Sequence, residues 1–157
     1  MSLSTQVLDA AKERGIMIAT AESCTGGMVA AALTDIPGSS AVFERGFVTY
    51  TNQAKIDMLG VSPATLDAHG AVSEEVAREM AAGALSHAPV NLTVSITGIA
   101  GPGGSEFKPE GRVCFGIADA NGVNSETVEY GALGREAVRA SAKDHALALL
   151  LERLQTR

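Results

Sequence analysis

The chain has 157 residues, of which 46% are hydrophobic and 19% are charged, and its formal net charge is −6. This length and composition are typical of one globular domain that can bury a core without staples. The sequence contains no run of Lys or Arg, so sequence-independent binding to nucleic acid is not expected. A small anionic ligand stays compatible with this charge, because a few backbone amides and one or two cations can hold a phosphate.

Cysteine usage and the N-terminal sequence predict a cytoplasmic protein. Cys24 and Cys114 form no CxxC pair, and although they could form one disulfide, no secreted disulfide framework is evident. The N-terminus lacks the charged and apolar regions of a signal peptide, and no apolar stretch is long enough to span a membrane. His69, His87 and His145 are scattered and lie at no metal-ligand spacing to a Cys, so a structural zinc site is not expected.

The hydrophobic pattern of the first half alternates helices with short strands. Residues 4–14 have an amphipathic helical pattern, and 16–20 is a short apolar run typical of a buried strand. The pattern then predicts an Ala-rich helix over 28–33, a turn over 35–40, a strand over 43–50 and a helix over 52–58 capped by Thr51.

The second half ends in a hairpin and a long helix. Pro63 suits the first turn of a helix over 62–69, and Ser73 caps a helix that stops before Pro89. The pattern continues with a strand over 91–97, a Gly/Pro-rich loop over 98–109, strands over 112–118 and 123–130, and a helix over 134–154 with a Leu stripe. Between the last two strands, 119–122 is predicted to form a primed hairpin turn. The sequence therefore predicts one α/β domain over 1–157. The expected architecture is a three-layer α-β-α arrangement with a mixed sheet of about five strands.

A first Gly-flanked cluster lies at 21–27, between the first strand and the Ala-rich helix. Ser23 is a hydroxyl at a strand-to-helix turn, where helix amides point outward and can hold an oxyanion or a phosphate. Gly26 and Gly27 allow a ligand to approach the backbone. The alternative is that Ser23 or Thr25 only caps the helix, which is the commonest role of such residues.

A second cluster extends from Gly38, Ser39 and Ser40 to Tyr50 and Lys55. Lys55 follows the end of a strand by a few residues, where a site would open. A partly buried Lys loses pKa by desolvation and can act as a base. The alternative is an ordinary solvated Lys at the surface.

A third cluster, 97–105, places the hydroxyl of Thr97 at the end of a strand and a Gly-rich loop directly after it. Successive amides in such a loop can form an anion-binding nest, although a long flexible turn is the alternative. Neither GxGxxG nor GxxxxGK[ST] is present, and GxSxG, HExxH and SxxK are also absent. A nucleophile in this chain needs a base other than the remote His residues, and a Ser–Lys pair is a known variant.

Five ordered motifs resemble the C-terminal domain of the competence/damage-inducible protein CinA, the nicotinamide-nucleotide amidase family. They are AESCTGG at 21–27, GSS at 38–40 with FERGFVTYTNQAK at 43–55, LGV at 59–61, HGAVSEEVAREMA at 69–81 and TGIAGPGGSEFKPEG at 97–111. The resemblance extends nearly end to end and is closest to single-domain bacterial members. The other CinA domain, similar to molybdopterin-binding domains, does not fit into a chain of this length.

The resemblance implies hydrolysis of nicotinamide mononucleotide to nicotinate mononucleotide and ammonia, with no metal or organic cofactor. It places the catalytic residues at Ser23, Tyr50 and Lys55, and the hydroxyl of Thr97 beside them. Ser23 is the expected nucleophile and Lys55 the expected base, and Tyr50 can relay the proton or hold the lysine. Amides at the start of the Ala-rich helix are expected to receive the oxyanion. The substrate phosphate is expected on the Gly101–Gly104 loop or against Arg139. The expected substrate-binding residues are Thr25, Gly26, Gly27, Ser39, Ser40, Thr97, Gly98, Gly101, Gly103, Gly104 and Arg139.

Two other functions stay open from the sequence. The same Gly loops suit a non-catalytic nucleotide-binding or regulatory module, and the same nucleophile suits an amidase of another small carboxamide. The expected partner is a small nucleotide, with no nucleic acid or membrane, and a homodimer is among the assemblies open to the chain.

Overall fold

The computed structural model describes residues 1–156. It contains a 3₁₀ turn at Ser39–Ala41 and six α-helices: α1 (Leu3–Arg14), α2 (Met28–Thr34), α3 (Asn52–Leu59), α4 (Pro63–His69), α5 (Glu74–Ser86) and α6 (Arg135–Thr156). The five strands in this range are β1 (Ile18–Glu22), β2 (Phe43–Val48), β3 (Leu92–Gly98), β4 (Arg112–Asp119) and β5 (Gly122–Glu129). Thr51 and Ser73 cap α3 and α5 as predicted, each accepting a hydrogen bond from a first-turn amide.

The strands form one mixed sheet in the order β2-β1-β3-β4-β5. The strands β2, β1 and β3 are mutually parallel, whereas β4 and β5 continue the sheet as an antiparallel hairpin. Every residue of β1 is buried, as expected for a central parallel strand that is covered on both faces. The predicted α/β class and five-stranded mixed sheet are confirmed.

Two hydrophobic cores cover the two faces of the sheet. On one face, α1, α2 and α6 pack over a core that includes Leu33, Ile96 and Leu150. On the other face, α3, α4 and α5 pack over a smaller core that includes Leu59 and Met80. The structure therefore has the three predicted layers.

A crevice opens at one edge of the sheet, because the chain leaves two neighbouring strands toward opposite faces. The chain leaves β1 for α2 on one face, but it leaves the neighbouring strand β2 for α3 on the other face. At such a switch point, the two loops diverge and leave an opening beyond the carboxyl ends of the strands, where ligands of open α/β sheets bind.

The strand β1 lies two residues later than the predicted 16–20. Ala21 and Glu22 pair with β2 on one side and with β3 on the other, so the ladder holds them in the strand although Glu has low strand propensity. The strand β2 stops at Val48 rather than Tyr50, because the carbonyls of Thr49 and Tyr50 turn away from the sheet.

The predicted 119–122 hairpin is present, but its turn is not of the primed type. Ala120 and Asn121 do not have the positive φ values that a primed turn requires, and Asp119 Oδ1 accepts a 2.8 Å bond from the Asn121 amide. The aspartate side chain therefore closes this turn. No helix within residues 1–156 has the length and hydropathy of a membrane-crossing helix.

Candidate active site

Loops after the three parallel strands enclose a cavity of about 330 Å³ at the carboxyl edge of the sheet. The walls come from the turn after β1, the segment between β2 and α3, the loop after β3 and the first residue of α6. The lining residues that the sequence had singled out are Ser23, Tyr50, Lys55, Thr97, Gly98, Gly101, Gly103 and Gly104. Volumes near 300 Å³ lie at the small end of ligand pockets.

Ser23 and Lys55 meet at this cavity. Lys55 Nζ lies 3.1 Å from Ser23 Oγ. Ser23 is the first residue beyond β1, and its amide donates to Ile96 O, which fixes the serine at the strand end. Lys55 lies in the first turn of α3, directly after β2. The structure therefore brings together two side chains that are 32 residues apart in sequence.

Lys55 is buried, with only 1% of its surface exposed, so it is not the solvated surface Lys that the sequence allowed. Burial lowers the pKa of Lys55 because it penalises the charged ammonium form. The negative charge of Glu106 acts in the opposite direction and raises that pKa. The desolvation effect is the larger one, so the neutral amine is more accessible than in an exposed Lys.

The amine of Lys55 has three hydrogen-bond partners. Its Nζ donates to Thr49 O at 3.1 Å and to Tyr50 O at 3.2 Å. It also donates to Ser23 Oγ at 3.1 Å, and the Ser23 hydroxyl donates to Tyr50 O at 3.4 Å. In the neutral form the amine has only two hydrogens, and donation of both to the carbonyls leaves its lone pair for the Ser23 hydroxyl.

Glu22 caps α2, the role that was the alternative for Ser23 or Thr25 in the sequence. The Glu22 carboxylate is 1% exposed and accepts hydrogen bonds from the amides of Gly27, Val29 and Ala30 at 3.0–3.2 Å. It also accepts from the Thr25 hydroxyl at 2.7 Å. Ser23 is thus free of capping, but the helix amides that were expected to receive an oxyanion are already occupied.

The remaining amides near Ser23 are those of Cys24 and Thr25. Within residues 1–156, neither amide donates to a carbonyl or to a side-chain oxygen. Arg139 Nε donates to Cys24 O at 2.9 Å, and the same guanidinium reaches Thr25 O at 3.4 Å. Arg139 was expected to bind the substrate phosphate, but its guanidinium holds the backbone of this turn and lies outside the cavity lining.

Cys24 lines the cavity beside Ser23 and is a second nucleophile to consider. Its thiol is buried, and this burial raises its pKa to about 11. At neutral pH the residue is therefore a thiol rather than the reactive thiolate. Both Cys24 and Cys114 are free in the structure.

Tyr50 contributes to the site mainly through its backbone. Its carbonyl accepts from Lys55 and lies 3.4 Å from Ser23 Oγ. The side chain is 57% exposed, and its hydroxyl accepts a 2.9 Å bond from Arg135 Nη2. The other terminal nitrogen of Arg135 donates to Gly101 O at 2.7 Å. Arg135 therefore joins two walls of the cavity.

The loop after β3 forms one wall, although part of its predicted anion nest is occupied. The Thr97 hydroxyl donates to Ala71 O at 2.8 Å, so it is held by the backbone. The Gly103 amide donates to Glu110 Oε1 at 2.6 Å. The Gly101 carbonyl, rather than an amide, faces Arg135.

Several expected substrate-binding residues lie outside the cavity lining. Ser39 and Ser40 precede β2, whose residue Phe43 pairs with Ile18 at the start of β1, so they lie at the opposite edge of the sheet. Thr25 is directed to Glu22. Gly26 and Gly27 form the turn that leads into α2, where both have positive φ.

The sequence analysis missed Glu22, Asn52, Glu106 and Arg135. Asn52, Glu106 and Arg135 line the cavity, whereas Glu22 supports the turn beneath it. A Glu at the end of a buried strand followed by a helix was a usable signal, since a fully buried carboxylate needs several donors. Within residues 1–156, no group of three or more His, Cys, Asp or Glu is placed to hold a metal ion.

Comparison with known proteins places this site in a family. The sequence matches the CinA C-terminal domain over residues 1–154. The chain belongs to the CinA C-terminal domain family. This CinA domain is 56% identical over 151 residues to the Escherichia coli K12 protein named nicotinamide-nucleotide amidohydrolase PncC, an alignment that covers 96% of this chain and 92% of that protein. It is also 56% identical over 128 residues to a CinA-like protein of Chloroherpeton thalassium, covering 81% of this chain and 30% of the longer protein.

Solved structures share the fold of this CinA domain. A competence/damage-inducible protein of Agrobacterium tumefaciens is 48% identical and superposes with a TM-score of 0.93, covering 98% of this chain and 93% of that one. A CinA superfamily protein of Escherichia coli, 38% identical, gives a TM-score of 0.92 and covers 96% of this chain and 87% of that one.

We expect Glu22→Gln to destabilise this CinA domain by about 2 kcal/mol. The glutamine amide would turn an N–H toward the Ala30 amide, leaving buried donors unpaired and removing a negative charge from a helix N-terminus. Urea unfolding followed by circular dichroism measures the change. Glu13→Gln, at an exposed position of α1, is the matched control and should stay within about 0.5 kcal/mol of the parent. Equal stability of both variants would show that Glu22 does not hold the turn.

Proposed function

We propose that the chain hydrolyses the carboxamide of nicotinamide mononucleotide to give nicotinate mononucleotide and ammonia. The observation that carries this proposal is the 3.1 Å contact between Ser23 Oγ and the buried amine of Lys55 at the base of the cavity. The family membership supports it, because relatives that are 56% identical over nearly the whole chain are named nicotinamide-nucleotide amidohydrolases.

In the first step, Ser23 Oγ attacks the carboxamide carbon while Lys55 Nζ takes the hydroxyl proton. The carbonyl oxygen becomes an oxyanion, and the free amides of Cys24 and Thr25 are the proposed donors to it. Arg139 binds Cys24 O, which shares a peptide plane with the Thr25 amide. The plane of the Cys24 amide contains Ser23 O, which accepts from the Gly26 amide at 3.0 Å, so both planes are held. Fixed donors of this kind stabilise the transition state because they need no reorganisation.

In the second step, the Lys55 ammonium gives its proton to the leaving nitrogen and the C–N bond breaks. Ammonia departs and the substrate acyl group stays on Ser23 as an ester. A water molecule then attacks the ester, with Lys55 again as the base, and releases the carboxylate product and free Ser23. The carbonyls of Thr49 and Tyr50 stabilise the transient ammonium at each stage, since they already accept from Nζ.

The proposed role of Tyr50 is to position Lys55 through its backbone carbonyl. The sequence allowed the phenol to relay a proton, but the phenol oxygen accepts from Arg135 rather than from Lys55 or Ser23. The phenol and Arg135 together form the rim of the cavity. We therefore propose that the Tyr50 side chain contributes to substrate binding.

Ammonia release is the direct test of this function. The purified protein is incubated with nicotinamide mononucleotide, free nicotinamide or glutamine at equal concentration. We expect ammonia from the nucleotide only, since the family resemblance implies that substrate. A non-catalytic binding module would bind the nucleotide without releasing ammonia. Comparable turnover of glutamine or free nicotinamide would indicate a different amidase.

We expect Ser23→Ala, Lys55→Ala and the double variant to lose turnover to nearly the same extent, by about a thousandfold or more. Residues that act as one unit are strongly non-additive, because losing either one disables the step. The measurement is kcat with nicotinamide mononucleotide for each variant.

Lys55→Arg is the control for packing and charge, because Arg keeps a long cationic side chain that cannot be deprotonated in a protein. It should be as inactive as Lys55→Ala while retaining the parent circular dichroism spectrum. Multiplicative losses in the double variant, or substantial turnover with Arg at this position, would contradict a Ser–Lys pair.

A further inference from the structure

The loop after β3 contains a strained hairpin that places Glu106 at the wall of the cavity. Ser105 and Lys108 exchange backbone hydrogen bonds of 3.0 Å and 2.8 Å, so Glu106 and Phe107 form the two-residue turn between them. These two residues have φ values of 51° and 63°, the left-handed conformation of a primed turn that Asn and Gly usually supply. Glu and Phe are disfavoured in it, and such strain is most often retained at functional sites.

The hairpin is anchored to a different part of the fold. Lys108 Nζ donates to the carbonyls of His69 and Val72, which lie at the end of α4 and just beyond it. Ser105 and Glu106 line the cavity, whereas the Phe107 side chain is fully exposed at the tip of the turn. The anchor therefore holds Glu106 at the wall of the site.

The basic and acidic side chains that line this cavity are Lys55 at the base, Arg135 on one wall and Glu106 on another. The Glu106 carboxylate lies against Gly70, close to the ammonium of Lys108, whereas Arg135 donates to the neutral oxygens of Gly101 and Tyr50. The charge of Glu106 reaches the catalytic pair, because it raises the pKa of Lys55. The cavity thus presents one carboxylate and one guanidinium to a ligand, on two of its walls.

This charge pattern matches the substrate of the proposed reaction. Nicotinamide mononucleotide carries a cationic pyridinium ring, which bears the carboxamide, and an anionic phosphate at the other end of the ribose. Opposite charges placed on two walls orient such a zwitterion, since the reversed orientation would bring like charges together.

We propose that Glu106 is a specificity-determining residue whose carboxylate faces the pyridinium ring and selects the cationic form of the substrate. This inference rests on the proposed function. It predicts that the enzyme discriminates against a nucleotide that carries the same carboxamide on an uncharged ring. The reduced form of nicotinamide mononucleotide, which has a dihydropyridine ring, is such a probe.

The test compares kcat/KM for the oxidised and reduced nucleotides in the parent and in Glu106→Gln. The intrinsic reactivities of the two carboxamides differ, but they cancel when the oxidised-to-reduced ratio is compared between the two proteins. We expect that ratio to fall about three- to fivefold in the variant, which corresponds to the interaction free energy of a partly exposed charge pair. The difference between the ratios of the two proteins should shrink at high salt.

Glu106→Asp and Glu152→Gln are the two control variants. Aspartate retains the charge and tolerates the left-handed backbone, so it should recover most of the discrimination. Glu152→Gln removes one negative charge at an exposed position of α6 and should leave the ratio unchanged.

The outcomes separate this inference from the proposed function. A parent protein that releases no ammonia from nicotinamide mononucleotide would contradict the proposed function itself. A parent that is active, but whose ratio does not change in Glu106→Gln, or changes equally in Glu152→Gln, would overturn the role of Glu106 alone.

Discussion

The site depends on one buried amine. Lys55 has almost no exposed surface, and its Nζ lies between two backbone carbonyls and the hydroxyl of Ser23. Burial of a cationic group is unfavourable, so the amine must either lose its proton or find strong acceptors. In this fold it has two acceptors and one hydroxyl that can exchange a proton with it. This arrangement places the buried amine, which is the proposed base, next to the proposed nucleophile.

The surrounding elements keep that contact in place. The switch of helices between the two faces opens the crevice at the ends of β1 and β2, which brings Ser23 next to the start of α3. Glu22 occupies the helix amides that would otherwise attract the serine hydroxyl as a cap. From α6, Arg139 holds the turn that follows Ser23, and Arg135 joins Tyr50 to the loop after β3. All three supports are charged side chains. Arg135 and Arg139 donate to backbone or phenol oxygens, and the Glu22 carboxylate accepts from helix amides.

Much of the fold was predictable because its signals are local. Thr51 and Ser73 mark helix starts, and the leucines of α6 mark its buried stripe. The turn types were not predictable in the same way. Asn121 and Gly122 suggested a primed turn, yet the Asp119 side chain closes that turn differently, and a primed turn occurs at Glu106 and Phe107. Glu and Phe disfavour the left-handed backbone of that turn, but Lys108 binds the carbonyls of His69 and Val72 and so holds the turn in place.

The residues of the site were only partly predictable from the sequence. The resemblance to the CinA family pointed to Ser23 and Lys55, whereas residue statistics alone favoured a helix cap and a solvated Lys. Ser39 and Ser40 share a motif with Lys55 but lie across the sheet from it, because motif proximity does not specify which end of a strand a loop occupies. Arg135 and Glu106 were missed, since their roles arise from loops that meet only after folding.

The central claim is that Lys55 is a base with a depressed pKa, and its titration tests this directly. The chain has four lysines, Lys12, Lys55, Lys108 and Lys143, so isotope labelling of lysine gives a spectrum that can be assigned by substitution. Nuclear magnetic resonance of the side-chain Cε and Nζ then follows each amine through a pH series. We predict that Lys55 titrates below the ordinary value of about 10.4, because burial penalises its charged form. A Lys55 that titrates at or above this ordinary value would contradict the account.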